Sequence, residues 1–168
     1  MSEVTAETVD RELLKLTLRF KSDLEAYAQA CLTIRGKDKI ARRLIFNRAQ
    51  QHIHMQLERQ KKATGKVRAL ILKGRQQGCS TYVGARYYHQ ATHSQGARVY
   101  ILTHQDTATQ NLFDIVKRYH DNCPDWVRPS TGNASAKELF FNKLDSGYKV
   151  GTAATKGTGR SATIQYFH

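Results

Sequence analysis

The chain has 168 residues, 40% of them hydrophobic and 24% charged, with 11 Gly and two Pro; it is long enough for one well-buried core, and a disordered, collagen-like or large multidomain protein is excluded. Lys and Arg number 27 against 14 Asp and Glu, a formal net charge of +13, which points to a polyanionic partner, nucleic acid ahead of an anionic membrane. No apolar run reaches the roughly 18 residues a spanning helix needs, and the start Met1-Ser2-Glu3-Val4 lacks the basic-then-apolar order of a signal peptide, so no membrane insertion and a cytoplasmic location are expected.

From Val9 the apolar positions Leu13, Leu16, Phe20, Leu24, Tyr27 and Cys31 recur every three or four residues, with Arg11, Lys15, Arg19 and Asp23 on the other face. This spacing predicts one amphipathic helix, whose stripe either packs on the domain or, if exposed, offers a docking face. Leu32-Thr33-Ile34-Arg35 and Leu44-Ile45-Phe46 read as hairpin strands turning at Gly36. Asn47 is placed to cap a helix carrying Ala49, Ile53 and Leu57. His52 and His54 flank one residue and have no further ligand nearby, so a solvated helix face is expected there and not a metal site. The polar stretch Arg59–Gly65 marks the boundary between an N-terminal extension, 1–65, and a main core, 66–168.

Beyond that boundary, the apolar run Val67–Leu72 predicts a buried strand. A helix from Ser80 to Ser94, a strand over Val99–Leu102 and a helix from Asp106 to His120 follow, the last ended by Cys123-Pro124. Strand, helix, strand, helix predicts a parallel sheet with right-handed crossovers. Leu139–Phe141 and Tyr148–Val150 around Asp145-Ser146-Gly147 read as a hairpin or edge pair, and Thr163–Phe167 begins like an inner strand. A chain stopping on such a strand is expected to be cut short. Asp106 is expected to cap its helix and Asp145 to form a turn. Cys31, Cys79 and Cys123, odd in number and with no CxxC, signal neither a disulfide framework nor a zinc site.

The chemistry concentrates between Leu70 and Thr81. There the predicted strand runs through Lys73-Gly74-Arg75-Gln76-Gln77-Gly78 into a helix opening at Cys79-Ser80-Thr81, which aims backbone N–H groups and the positive helix end at a loop able to cradle phosphates. Gly78 lets the backbone approach, and the Ser80 hydroxyl can ligate Mg²⁺. The strict G-x-x-x-x-G-K-[ST] pattern is not met: Cys79 replaces the lysine before the serine, and Lys73 stands in the first glycine's place. Lys73 on its long stem can reach back over the loop, and Arg75 offers a planar fork for phosphate oxygens. The competing reading is an ordinary strand-to-helix turn with solvated cations. Gln50, upstream, has an amide able to pair with N6 and N7 of adenine, although a lone helical glutamine is ordinarily just exposed.

Together these segments resemble the N-terminal part of the ATPase domain of tailed-bacteriophage terminase large subunits, the motors that package viral genomes into procapsids. The resemblance runs from about Leu32 to His168. Its carriers are Phe46-Asn47-Arg48-Ala49-Gln50, similar to the family's adenine-binding glutamine motif; Lys73 through Thr81, similar to its deviant Walker A with the lysine moved upstream; and Tyr100-Ile-Leu-Thr-His-Gln-Asp-Thr-Ala108. Thr155 to His168 is similar to the loop and strand leading into Walker B, whose acidic residues do not follow within the chain.

The resemblance implies an α/β P-loop NTPase core of the ASCE or RecA-like kind, a parallel sheet flanked by helices, with ATP and Mg²⁺ as cofactors. Gln50, Lys73, Gly74, Arg75, Gln76, Gln77, Gly78, Cys79, Ser80 and Thr81 then line the nucleotide, and Ser80 holds the metal. Arg75 and Arg160 take catalytic places, Arg160 as an arginine finger reaching a neighbouring subunit. It further implies ATP-driven translocation of double-stranded DNA by a homo-oligomeric ring on a portal protein, fed by a small terminase subunit, in the host cytoplasm at the procapsid. Without the Walker B acids the 168 residues alone are expected to be inactive. The alternatives are a non-catalytic DNA- or protein-binding module and a helicase-like ATPase, the latter opposed by the upstream lysine.

Overall fold

A computed structural model describes residues 6–132, 134–135, 137–153 and 164–168. The predicted first helix is two helices, α1 (Ala6–Ser22) and α2 (Leu24–Cys31). Asp23 breaks them apart, since its carboxylate accepts from the Ala26 N–H and caps α2, and a cap residue takes extended dihedrals. The hairpin forms from β1 (Thr33–Arg35) and β2 (Ala41–Arg43), with Thr33 opposite Arg43. Its second strand lies earlier than predicted: after the Thr33–Arg43 pair one further bond runs from the Leu44 N–H to the Leu32 carbonyl at 2.9 Å, and Leu44 and Phe46 are buried in the core. Asn47 caps α3 (Arg48–Thr64) as expected, and Gly65, at φ 71°, ends it.

The predicted strand Val67–Leu72 is not one. Among the described residues the segment joins no ladder, and Leu70 and Leu72 are fully exposed. Gln60 on α3 holds it instead. Its side-chain amide donates to the Arg68 carbonyl at 3.0 Å and accepts from the Arg68 N–H at 2.8 Å, the two bonds a neighbouring strand would make.

The rest of the chain gives α4 (Cys79–His93), β3 (Arg98–Thr103), α5 (Asp106–Asp121), β4 (Ala134–Ser135), β5 (Glu138–Phe141), β6 (Ser146–Thr152) and β7 (Tyr166–Phe167). Strands lie in the order β4-β5-β6-β3-β7. β3 runs parallel to β6 and β7, while β5 runs antiparallel to β6 and to β4. The fold is α/β with a mixed sheet, so the expectation of a parallel sheet holds only around β3. The antiparallel part is the predicted hairpin, reversed at Asp145 with φ 45° and tied to Arg98 at 2.8 Å. Asp106 does not cap α5, whose cap position is Gln105. Its carboxylate turns to the sheet instead, where the Thr152 hydroxyl at 2.6 Å and the Lys137 ammonium at 3.1 Å hold it below the usual carboxylate range.

Helix α4 carries the centre of the core. Tyr82, Ala85, Tyr88 and Ala91 are fully buried, and Gly84 lets α5 approach, since a Cβ there would lie 3.4 Å from Val116 Cγ2. Tyr27 of α2 packs edge-on against His93, with ring centroids 4.7 Å apart, and His89 Nε2–H donates to the Phe20 carbonyl in the last turn of α1 at 2.6 Å. Cys31, Cys79 and Cys123 are free and buried, and the Tyr27 hydroxyl lies 3.8 Å from Cys123 Sγ. No helix of the described residues is long and apolar enough to cross a membrane.

Burial, reinforced by neighbouring His89, lowers the His93 pKa to about 4, and burial lowers those of His54, His89 and His120 as well. In the unfolded chain these rings titrate near 6.5, so as pH falls the unfolded state binds protons that the folded state refuses. The stability contributed by the neutral rings is present above about pH 6.5 and is lost on descent toward about pH 4, with His93 responsible for up to about 3 kcal/mol. Urea unfolding at about pH 7.5, 6 and 5 should show a falling midpoint, and His93→Gln should flatten that slope whatever it does to stability at neutral pH.

Candidate functional site

Two amides at the start of α3 organise the loop that precedes α4. Asn47 Oδ1 accepts from the Gln50 N–H at 3.0 Å, and Gln50 Oε1 accepts from the Asn47 N–H at 2.9 Å, a reciprocal cap. The other half of each amide crosses to the loop: Gln50 Nε2 donates to the Gly78 carbonyl at 2.9 Å, and Asn47 Nδ2 to the Gln77 carbonyl at 3.3 Å. Gln50 is only 3% exposed, unlike an ordinary surface glutamine. Its carbonyl and one N–H are engaged, leaving one N–H for a further partner.

Gly78 is required at this junction for two reasons. Its φ of 75° lies in the left-handed region, and a Cβ would sit 2.8 Å from Gln50 Nε2. From Gly78 the chain enters α4 at Cys79 with no side-chain cap, so the first-turn N–H groups have neither a helical nor a side-chain acceptor at the cap. Lys73, Gly74, Arg75, Gln76 and Gln77 are exposed, Ser80 and Thr81 half-buried, and Cys79 buried. Lys73 Nζ reaches only the Gly74 carbonyl, at 3.5 Å, and neither Lys73 nor Arg75 has an ion-pair partner among the described residues. The structure therefore brings Gln50 to the loop residues named from the sequence. Arg160 lies outside the described residues.

The histidine pair behaves differently from its expectation. His52 is exposed, but His54 turns inward, with Nδ1 3.1 Å from the Tyr82 hydroxyl and its ring 5.6 Å from Phe46, and burial lowers its pKa. Among the described residues no cluster of three His, Cys, Asp or Glu side chains could hold a metal ion.

In sequence, 59–65 reads only as a boundary, yet the cations continue into the loop. Arg59, Lys61, Lys62, Lys66, Arg68, Lys73 and Arg75 are all exposed, and no acid lies between 59 and 75. The charge run itself is the signal that could have marked this face. At its base Arg86, with its side chain 9% exposed, pairs with Glu58 at 2.5 Å and donates to the Tyr82 hydroxyl at 3.2 Å, so this buried cation is structurally satisfied. A cleft of about 1070 Å³ lies between the 66–71 segment and β7, lined by Leu57, Val67, Ile71, Tyr87, Tyr166 and Phe167 among others. None of residues 73–81 lines it, so this cleft and the loop before α4 are separate. The chain matches no family model and no curated protein sequence.

Gln50→Ala removes both bonds of a buried amide, leaving the Asn47 N–H without its acceptor and the Gly78 carbonyl with the Tyr82 N–H alone, for an expected loss of about 1–3 kcal/mol. Gly78→Ala adds left-handed strain of about 1–2 kcal/mol to the close contact with Gln50. Urea denaturation of the two variants should show both losses, with unchanged m-values.

Proposed function

We propose that residues 73–81 bind the phosphates of ATP together with Mg²⁺, and that the protein works as the ATPase part of a DNA-packaging motor of the terminase large-subunit kind. The observation that carries this reading is the uncapped start of α4 behind a loop whose Gly78 is fixed at φ 75° by Gln50, with Lys73 and Arg75 beside it and without an ion-pair partner among the described residues. A phosphate at a helix start accepts from backbone N–H groups and gains from the helix dipole. Lys73 supplies a point charge and Arg75 a two-pronged donor for oxygens further along the polyphosphate.

The donor set also fits a hard cation. Ser80 offers a half-exposed hydroxyl in the first turn of α4, whereas the Cys79 thiol is buried and of the wrong softness for Mg²⁺. ATP supplies the phosphoryl group, and this chain's residues hold it in place and offset its charge. Gln50 has one N–H left to meet an adenine acceptor while its other bonds keep the loop in shape. Arg160 completes the proposal as a residue acting on a neighbouring subunit's nucleotide, in a homo-oligomeric ring with a portal protein and a small terminase subunit as partners; that extension rests on the resemblance. Double-stranded DNA is the polyanion for the exposed cations of 59–75, which suit sequence-independent contact with phosphates.

Isothermal titration of Mg·ATP into the full chain should give saturable binding, weakened at least about tenfold by Lys73→Ala and by Ser80→Ala, a loss of about 1.4 kcal/mol each. Unchanged affinity in both variants would make the loop a structural turn. DNA affinity should fall linearly with the logarithm of salt concentration, and Lys62→Ala with Lys66→Ala should reduce that slope by about 0.9 for each phosphate contact removed. Salt-sensitive DNA binding without any nucleotide binding would favour the non-catalytic module instead.

A further inference from the structure

We propose that α1 is a self-association helix through which two copies of the chain pair antiparallel about a two-fold axis. The helix has 17 residues, and of its apolar stripe only Phe20 is built into the core. Val9, Leu13 and Leu16 share that stripe, at successive spacings of four, three and four residues up to Phe20, yet are 44%, 38% and 39% exposed. This is the spacing with which one helix seats against another along a shallow left-handed crossing. The stripe also continues past the helix. Trp126, 53% exposed, lies with its ring centroid 6.0 Å from that of Phe20, so the apolar surface ends on a large aromatic of the kind that anchors interfaces.

Charge decides the occupant and its direction. Beside the stripe, Asp10 and Glu12 lie in the N-terminal half of α1 and Arg19 and Lys21 in the C-terminal half, while Arg11 and Lys15 fall on the far side of the helix. A parallel pair sets like charges against each other, whereas an antiparallel pair sets acid against base. With Leu13 seated on Leu16 of the partner subunit and Val9 toward the partner's Phe20 and the partner's Trp126, Glu12 faces the partner's Arg19, and the two-fold axis repeats that contact. Glu12 and Arg19 sit on the same flank, each one position before a stripe residue, as this pairing requires. Their present partners, Lys15 at i+3 and Asp23 at i+4, form exposed pairs that are worth little and exchange readily. One helix face and one tryptophan bury less than the roughly 1,200 Å² of a stable interface, so the dimer is weak and concentration-dependent. A two-fold contact closes at two copies and is therefore distinct from the head-to-tail contact of a ring.

Sedimentation velocity on the full chain from about 1 to about 500 µM should show a monomer–dimer equilibrium with a dissociation constant of about 10–100 µM. Leu13→Glu and Leu16→Glu, both at exposed positions, should be monomeric throughout with an unchanged circular dichroism spectrum. Glu12→Lys and Arg19→Glu should each be monomeric alone, because each sets like charges across the axis twice. Mixed in equal amounts the two variants should dimerise again. In the mixed pair the two substituted positions face each other with opposite charges, and the unsubstituted Glu12 and Arg19 form the second contact. A wild-type chain that stays monomeric, a dimer that survives Leu13→Glu, or a mixture that fails to restore association would each overturn the proposal.

Discussion

One buried primary amide ties the N-terminal extension to the start of α4. Gln50 uses its carbonyl to close the cap of α3 and its N–H to hold the Gly78 carbonyl. Only a group with both an acceptor and a donor can do this: a carboxylate cannot donate to Gly78, and a hydrocarbon side chain would leave the Asn47 N–H without its acceptor and the Gly78 carbonyl with the Tyr82 N–H alone. Because Gly78 is the residue at which the backbone turns left-handed into α4, the direction of the loop depends on an interaction made by a helix that lies before residue 65 in sequence. The extension and the core are thus mechanically one piece at this point.

The element so positioned is itself held by polar tips on large side chains. Tyr82 meets His54 of α3 and Arg86, Tyr88 meets His120 of α5 at 3.0 Å, and the Tyr119 hydroxyl donates to the Thr81 carbonyl at 3.0 Å. On the sheet side the Tyr87 hydroxyl donates to the Phe167 carbonyl and Tyr166 to Gln90. Each tyrosine brings an apolar body to the core and one directional bond at its end, which fixes the rotation of α4 as well as its burial. A loop mounted on a helix fixed in this way presents its donors in a defined direction, as anion recognition needs. The same economy of polar groups accounts for the acid sensitivity: the histidines completing these contacts are neutral because burial outweighs the attraction of Glu58 for His54 and of Asp121 for His120.

What is legible in the sequence is local. The 3.6-residue periods of α3, α4 and α5, the Asn47 cap and the Asp145 turn are contained within short windows, and all are present. The break at Asp23 is hidden because the apolar stripe continues through it from Phe20 to Leu24 and Tyr27, and only the cap bond to Ala26 ends the helix. The run Val67–Leu72 misleads for the complementary reason: a strand is defined by its neighbour, and hydrophobicity does not reveal whether a neighbour exists. Gln60 takes that role for one residue, Arg68, and leaves Leu70 and Leu72 in solvent. Gln50 stands out as unusual, but adenine pairing and backbone clamping ask for the same amide chemistry, so its loop contact across 28 residues is not readable in sequence. The Tyr27–Cys123 approach, across 96 residues, has no sequence signal at all.

On the proposed function, the place of the lysine upstream of the loop follows from burial. Cys79 is the first residue of α4 and is 5% exposed, so a lysine in its place would have to bring its ammonium into the core, at a cost of several kcal/mol, or turn the helix outward and break the contacts of Tyr82 and Tyr88. A small thiol fits there without penalty. Any cation serving a bound anion must therefore come from the exposed side, and the loop entrance offers Lys73 and Arg75. Lys73 makes only a long contact to the Gly74 carbonyl, so redirecting it toward a phosphate disrupts little. Ser80, one residue deeper than Cys79 and half-exposed, is then the first hydroxyl along α4 that a metal could share with that phosphate. On the proposed function, the departure from the usual order of lysine and serine is what a phosphate loop requires when the helix behind it starts inside the core.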